Sequence, residues 1–172
     1  MSKKICIPDK NGVANELKVG DNILISGKIY CGRDAVLPKV LALSDEDRRE
    51  KYGIDLEGSL IFHTAVSRAG IGPTSSNKFE IESSIPILSS LGVKVHLGKG
   101  KLKDETIKAL KENNSIYAII PPVTALLKSK TISSRVVAFP ELGMEALYEL
   151  EVEEFPAVVA AAHGESLYDK NK

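Results

Sequence analysis

The chain has 172 residues, 43% of them apolar and 27% charged, and its 23 basic and 23 acidic residues cancel to a formal net charge of zero. That length holds one domain with a real core and is too short for two ordinary ones, so residues 1–172 are read as a single domain. A balanced surface offers no broad field to nucleic acid or to an anionic membrane, and the apolar fraction is that of a globular chain, not a disordered one.

The start, Met1-Ser2-Lys3-Lys4-Ile5-Cys6-Ile7-Pro8, has basic residues but no apolar run long enough for a signal peptide. Ile23, Ile25 and Ile29 predict a strand that continues past Gly27. Asp34 is placed to cap a helix running through Val40 to about Arg49, with Pro38 in the first turn, where helix N–H groups have no intrahelical partner. Residues 59–66 (Ser-Leu-Ile-Phe-His-Thr-Ala-Val) form a second strand candidate. Ile81, Ile85 and Leu88 then recur at helical spacing with Gly92 as a stop, and Pro86 either kinks that helix or delays its start. A strand over 93–97, a helix over 104–113 with Ile107 and Leu110 on one face, and a strand over 116–120 follow. A strand over 135–139, a helix over 144–150 and a strand over 157–162 complete the series. Such β-branched runs suit buried strands of a mostly parallel sheet, and their alternation with helices predicts a three-layer α/β fold. The longest apolar stretches, such as 155–162, are far below the roughly 20 residues that span a bilayer. The chain therefore reads as a soluble cytoplasmic protein with no internal repeat or linker.

Three short clusters at strand ends or turns can carry chemistry. In Gly32-Arg33-Asp34, the Arg33 fork can grip a carboxylate where a strand gives way to a helix, or it can pair with Asp34 on the surface. Gly72-Pro73-Thr74-Ser75-Ser76-Asn77-Lys78 is a turn rich in N–H and O–H donors, with Lys78 adding charge. It either cradles an anion or is an ordinary turn with a hydroxyl helix cap. In Gly98-Lys99-Gly100, two glycines bare the backbone around one lysine, as a ligand site or a solvated β-turn. His63 lies within an apolar strand pattern and reads as a core histidine. His96 alternates outward beside Lys94, and His163 sits in a loop after an apolar strand. Cys6 and Cys31 cannot make a disulfide framework or a self-sufficient iron–sulfur or zinc site, and Cys31 reads as a small buried hydrophobe. No nucleophile elbow or dinucleotide fingerprint is present. Arg33, Thr74, Lys78 and Lys99 together suit a small polycarboxylate, with no general base of ordinary pKa beside them. They amount to half of an active site.

The motifs run in order as Leu17-Lys18-Val19-Gly20-Asp21, Ser26-Gly27-Lys28-Ile29-Tyr30, Gly32-Arg33-Asp34, Gly72-Pro73-Thr74, Gly98-Lys99-Gly100, Leu142-Gly143-Met144-Glu145-Ala146, Glu151-Val152 and Phe155-Pro156. This series resembles the β subunit, or C-terminal domain, of class I fumarases and L(+)-tartrate dehydratases. The resemblance implies a swivelling β/β/α domain with a mainly parallel central sheet. It also implies a partner α subunit holding a 4Fe–4S cluster through three cysteines, whose fourth iron binds a small dicarboxylate and acts as a Lewis acid on the departing hydroxyl. By motif match, Arg33, Lys78 and Lys99 bind substrate, with Lys78 in the place of a usual arginine. Thr74 takes the role of the base, its pKa depressed by Lys99 and Arg33. The expected reaction is hydration of fumarate to malate, with L(+)-tartrate dehydration and a non-catalytic assembly module as alternatives. The active species is a heteromer, possible in a higher oligomer, and this chain holds no metal of its own.

Overall fold

Alternation of apolar residues sets which face each strand can bury, and the structure, a computed structural model, is built on that alternation. It describes residues 2–67, 70–74, 78–120 and 130–171, with the backbone alone at 65–67, 70–74, 78–81 and 170–171. The elements in chain order are β1 (Lys3–Ile7), β2 (Asn22–Cys31), α1 (Leu37–Ala42), β3 (Leu60–Phe62), β4 (Thr64–Ser67), β5 (Gly70–Thr74), α2 (Lys78–Ser90), β6 (Val95–Gly98), α3 (Asp104–Glu112), β7 (Ile116–Ile119), β8 (Thr131–Ala138), β9 (Leu147–Ala162) and β10 (Glu165–Ser166).

Four pairings are parallel: β2 with β3, β3 with β6 and β6 with β7 join runs read as strands in the sequence, and β1, which was not among the expected strands, pairs with β2. The sheet does not stay open. The 16-residue β9 runs antiparallel to β2 on one side and to β8 and then β7 on the other. Val158 is paired with both Asn22 and Ile119, so the ring β2–β3–β6–β7–β9 closes on itself. The α/β class is as expected. The arrangement is a closed barrel with helices packed outside, where the expectation was a three-layer β/β/α domain with a mainly parallel central sheet.

Leu60, Phe62, Val95, Leu97, Ile116 and Ala118 face the interior with Ile23, Ile25, Ile29 and Phe155. Phe62 and Phe155 meet edge to face at 5.9 Å. The intervening residues face outward and are buried too. Ile61 packs with Leu37, Val40 and Leu88, and Tyr117 with Ile85, Ile107 and Leu110. Burying each large apolar side chain contributes about 1.5–3 kcal/mol, so both faces of these strands favour the fold. Gly27 sits where β1 crosses a bulge in β2. Its φ is +119°, and a Cβ there would stand 2.1 Å from the Ile7 carbonyl oxygen. Only glycine suits that close approach.

Several boundaries differ from expectation. The helix predicted over 144–150 is instead a short 3-10 turn, Pro140–Glu145, followed directly by β9. Leu147 and Leu150 are spaced like one helix face. In a strand they point to opposite faces, and both faces are covered here: Leu147 lies in the outer cluster and Leu150 in the inner one. The strand predicted over 59–66 breaks at His63, where β4 leaves the barrel to form a separate hairpin with β5. The helix expected from Asp34 to Arg49 is α1 alone, with one wider turn at Asp47–Lys51. Among the described residues no helix is long and apolar enough to cross a membrane.

Candidate functional site

Parallel strands deliver their next residues to one edge, and β2, β3 and β6 end in register. Cys31, Phe62 and Leu97 form one row across the three strands. In the next row, the Gly32 N–H donates to the Phe62 carbonyl at 3.0 Å and the His63 N–H to the Leu97 carbonyl at 3.0 Å. One residue further stand Arg33, Thr64 and Lys99. This carboxyl edge, where the loops diverge, is where open parallel sheets place their ligand sites. Thr74, the last residue of β5, is the strand partner of Thr64. Lys78 is the first residue of α2. The side chains of Thr74 and Lys78 lie outside what is described, as do residues 75–77 and the Pro121-Pro122-Val123-Thr124-Ala125-Leu126 segment.

Arg33 is half-buried and forms an ion pair with Glu145, while Asp34 is exposed and bears on Arg33 through its charge. The Arg33 Nε–H donates to both Glu145 oxygens, at 2.7 and 3.0 Å, and Nη2–H donates to Oε1 as well. The Glu145 carboxylate thus takes the Nε–Nη2 edge of the guanidinium and raises the Arg33 pKa further above its ordinary range. Glu145 lies 112 residues away, in the turn that leads into β9. Its place in the Leu142-Gly143-Met144-Glu145-Ala146 motif was the one sequence signal that could have found it. Lys99 is exposed on its turn, as expected. The Tyr117 O–H donates to the Gly100 carbonyl at 3.2 Å and steadies that turn from below.

Directly under this edge lies a buried polar chain. His63 and His96 are both 0% exposed, with rings stacked at 5.4 Å. His63 Nε2 and His96 Nδ1 are 3.1 Å apart, and the Ser89 hydroxyl of α2 lies 2.9 Å from His96 Nε2. His63 Nδ1 finds no partner among the described residues. Burial lowers the His63 pKa to about 4. Burial first, and then its neighbour His63, hold His96 well below its ordinary value. Both rings are therefore neutral near pH 7. His63 is in the core as expected. His96 does alternate outward on its strand, but α2 covers that face, so it is buried and not on the surface.

The other candidates fall elsewhere. The His163 Nε2–H donates to the Leu17 carbonyl at 2.9 Å. Its ring lines a small cavity with Asn15, Lys111 and Asn114 near Ile116, at the amino end of β7 and so away from Arg33 and Lys99. Cys31 is 0% exposed in the barrel interior, where burial raises its thiol pKa and keeps it inert. Cys6 is exposed on β1, paired with Ser26 and not with Cys31. Among the described residues no group of three or more His, Cys, Asp or Glu side chains could hold a metal ion.

Comparison with known proteins matches residues 4–171 to the family model described as Fumarase C-terminus. A Methanocaldococcus jannaschii protein named as an L(+)-tartrate dehydratase β subunit is 33% identical over 170 residues, covering 90% of this chain and 85% of its own length. The L(+)-tartrate dehydratase β subunit of Escherichia coli K12 is 29% identical over 185 residues, covering all of this chain and 89% of its own length. Fumarate hydratase 2 of Leishmania major is 27% identical over 167 residues, which is 91% of this chain but only 29% of the longer protein.

Proposed function

The chain belongs to the fumarase C-terminus family, and on that premise we propose that it is the β subunit of an iron–sulfur-dependent hydro-lyase that reversibly hydrates fumarate to malate. The observation that carries the reading is the approach of Arg33 and Lys99 to one edge, at the ends of strands that flank β3, in a chain matched to the family over nearly its whole length. Two cations so arranged suit the two carboxylates of a small diacid. In this proposal Arg33, Lys78 and Lys99 hold the carboxylates. Thr74, near these cations, removes the carbon-bound proton, its hydroxyl pKa depressed by their charge. Glu145 holds Arg33 by one edge and so fixes its orientation.

The 4Fe–4S cluster that the family resemblance implies does not fit this chain. Cys31 is sealed in the core and Cys6 stands on the surface of a different strand. We assign the cluster to a partner α subunit, against which residues 1–172 act as one swivelling domain. A cytoplasmic setting, where thiols stay reduced, belongs to the same proposal. A second reading, L(+)-tartrate dehydration, is favoured by coverage: the two tartrate dehydratase β subunits are spanned over 85% and 89% of their length, the fumarate hydratase over 29%.

The test is anaerobic co-expression with a cysteine-bearing α subunit, followed by turnover assays on malate, fumarate, the tartrates and mesaconate. The pair is expected to turn over one of these and the isolated chain none. A stoichiometric 4Fe–4S spectrum from the isolated chain after reconstitution with iron and sulfide, or turnover without a partner, would overturn this division of labour.

A further inference from the structure

Lys99 rides on the five-residue connection from β6 to α3, and a buried carboxylate of α2 binds that connection. Glu82 is 7% exposed. Its Oε1 accepts the Lys103 backbone N–H at 2.5 Å and the Thr106 hydroxyl at 3.0 Å. Lys103 is the N-cap of α3 and makes no side-chain cap bond of its own. An ordinary N-cap would come from the serine, threonine or aspartate at that position. Here the cap comes from another helix. A cap from position 103 itself would add no bond between the Lys99 connection and α2. Apolar packing supports the same attachment, since Leu102, 4% exposed, clusters with Ile85 of α2.

The position of Glu82 on α2 gives this tie a consequence. Lys78 begins α2, and Glu82 follows four residues later, one helical turn along the same face. One helix thus carries the Lys78 position and also grips the segment that carries Lys99. We propose that Glu82 is a positioning residue for the substrate cations. By capping α3 from α2 it sets Lys99 relative to Lys78, and with it the span over which two carboxylates are held. This rests on the dicarboxylate reading above. A carboxylate so little exposed loses most of its hydration, and the two donated bonds and the positive end of α3 offset that loss only while the connection stays in place. The connection and α2 therefore hold each other.

The experiment uses the full chain purified with its α partner and compares Glu82→Ala, Glu82→Gln and Thr106→Val with wild type. Three quantities are read: KM and kcat on malate, the melting temperature, and hydrogen–deuterium exchange at the Lys103 amide. Glu82→Ala is expected to speed Lys103 exchange by about tenfold and to raise KM by about tenfold, with kcat changed less than about twofold. Glu82→Gln keeps an acceptor oxygen for both donors and should bring KM back to within about threefold of wild type. Thr106→Val removes one bond of the two and should raise KM by about threefold, and it carries the test if the alanine variant does not fold. A purely structural cap would lower the melting temperature and leave KM unmoved. An unchanged KM with faster exchange, unchanged exchange, or a glutamine variant as impaired as alanine would each overturn the proposal. A wild-type pair inactive on every dicarboxylate would sink the hydro-lyase reading and this proposal with it, whereas changes confined to the variants bear on Glu82 alone.

Discussion

Acidification should destabilise this fold through its buried histidine pair. His63 titrates at about 4 in the native state against an ordinary 6.5, because burial penalises its charged form. The unfolded chain therefore binds protons more readily between those values. Stability from this group is fully present above pH 6.5 and is lost as the pH falls toward 4. The gap corresponds to about 3 kcal/mol in all, of which about 2 kcal/mol has gone by pH 5. His96, lowered in the same direction, adds to the loss. Carboxylates titrate mostly below pH 5, so the histidines dominate this window. Urea unfolding followed by circular dichroism at pH 7.5 and pH 5 is the assay, and the wild-type midpoint should fall by about 1 M or more. In His63→Phe the starting stability is lower, because His96 Nδ1 loses its partner, but the loss between the two pH values should shrink to the share of His96. A wild-type midpoint that hardly moves, or an equal loss in the two proteins, would refute the argument that this pair is neutral because it is buried.

The remaining predictions concern the rim and the barrel. Arg33→Ala in the active pair should lower catalytic efficiency roughly 10- to 150-fold, the loss of one charge-assisted bond of about 1.5–3 kcal/mol, and unaltered kinetics would reject Arg33 as a substrate ligand. Lys78→Arg should tighten malate binding if the substrate is fumarate or malate, because the arginine fork grips a carboxylate with two bonds. Loss of activity on every dicarboxylate would mean that Lys78 is adapted to another substrate. Gly27→Ala should cost about 3 kcal/mol or more in urea unfolding, since its Cβ would stand 2.1 Å from the Ile7 carbonyl at a φ of +119°. A variant as stable as wild type would show that β1 and β2 can separate there at no cost.

The sequence by itself determined the parallel half of the barrel. The runs at 23–29, 59–66, 93–97 and 116–120 are rich in β-branched and other apolar residues, as buried strands of a mostly parallel sheet are. It also determined that Arg33 and Lys99 sit just past strand ends, because glycines mark where those strands stop. Periodicity reports which residues share a face. It does not report what covers that face or which distant segment pairs with it. Leu147 and Leu150 therefore read as one helix face, and only closure of the barrel made them opposite faces of β9. His96 read as outward and exposed, and only the packing of α2 buried it beside His63. The pairing of Arg33 with Glu145 joins residues 112 apart, and the cap that Glu82 places on α3 joins Lys103 to a residue 21 positions away. Partners so far apart leave no local trace in the chain. They were decided when β9 closed the sheet and α2 settled over its outer face, because that is when residues distant in sequence came within reach of a hydrogen bond.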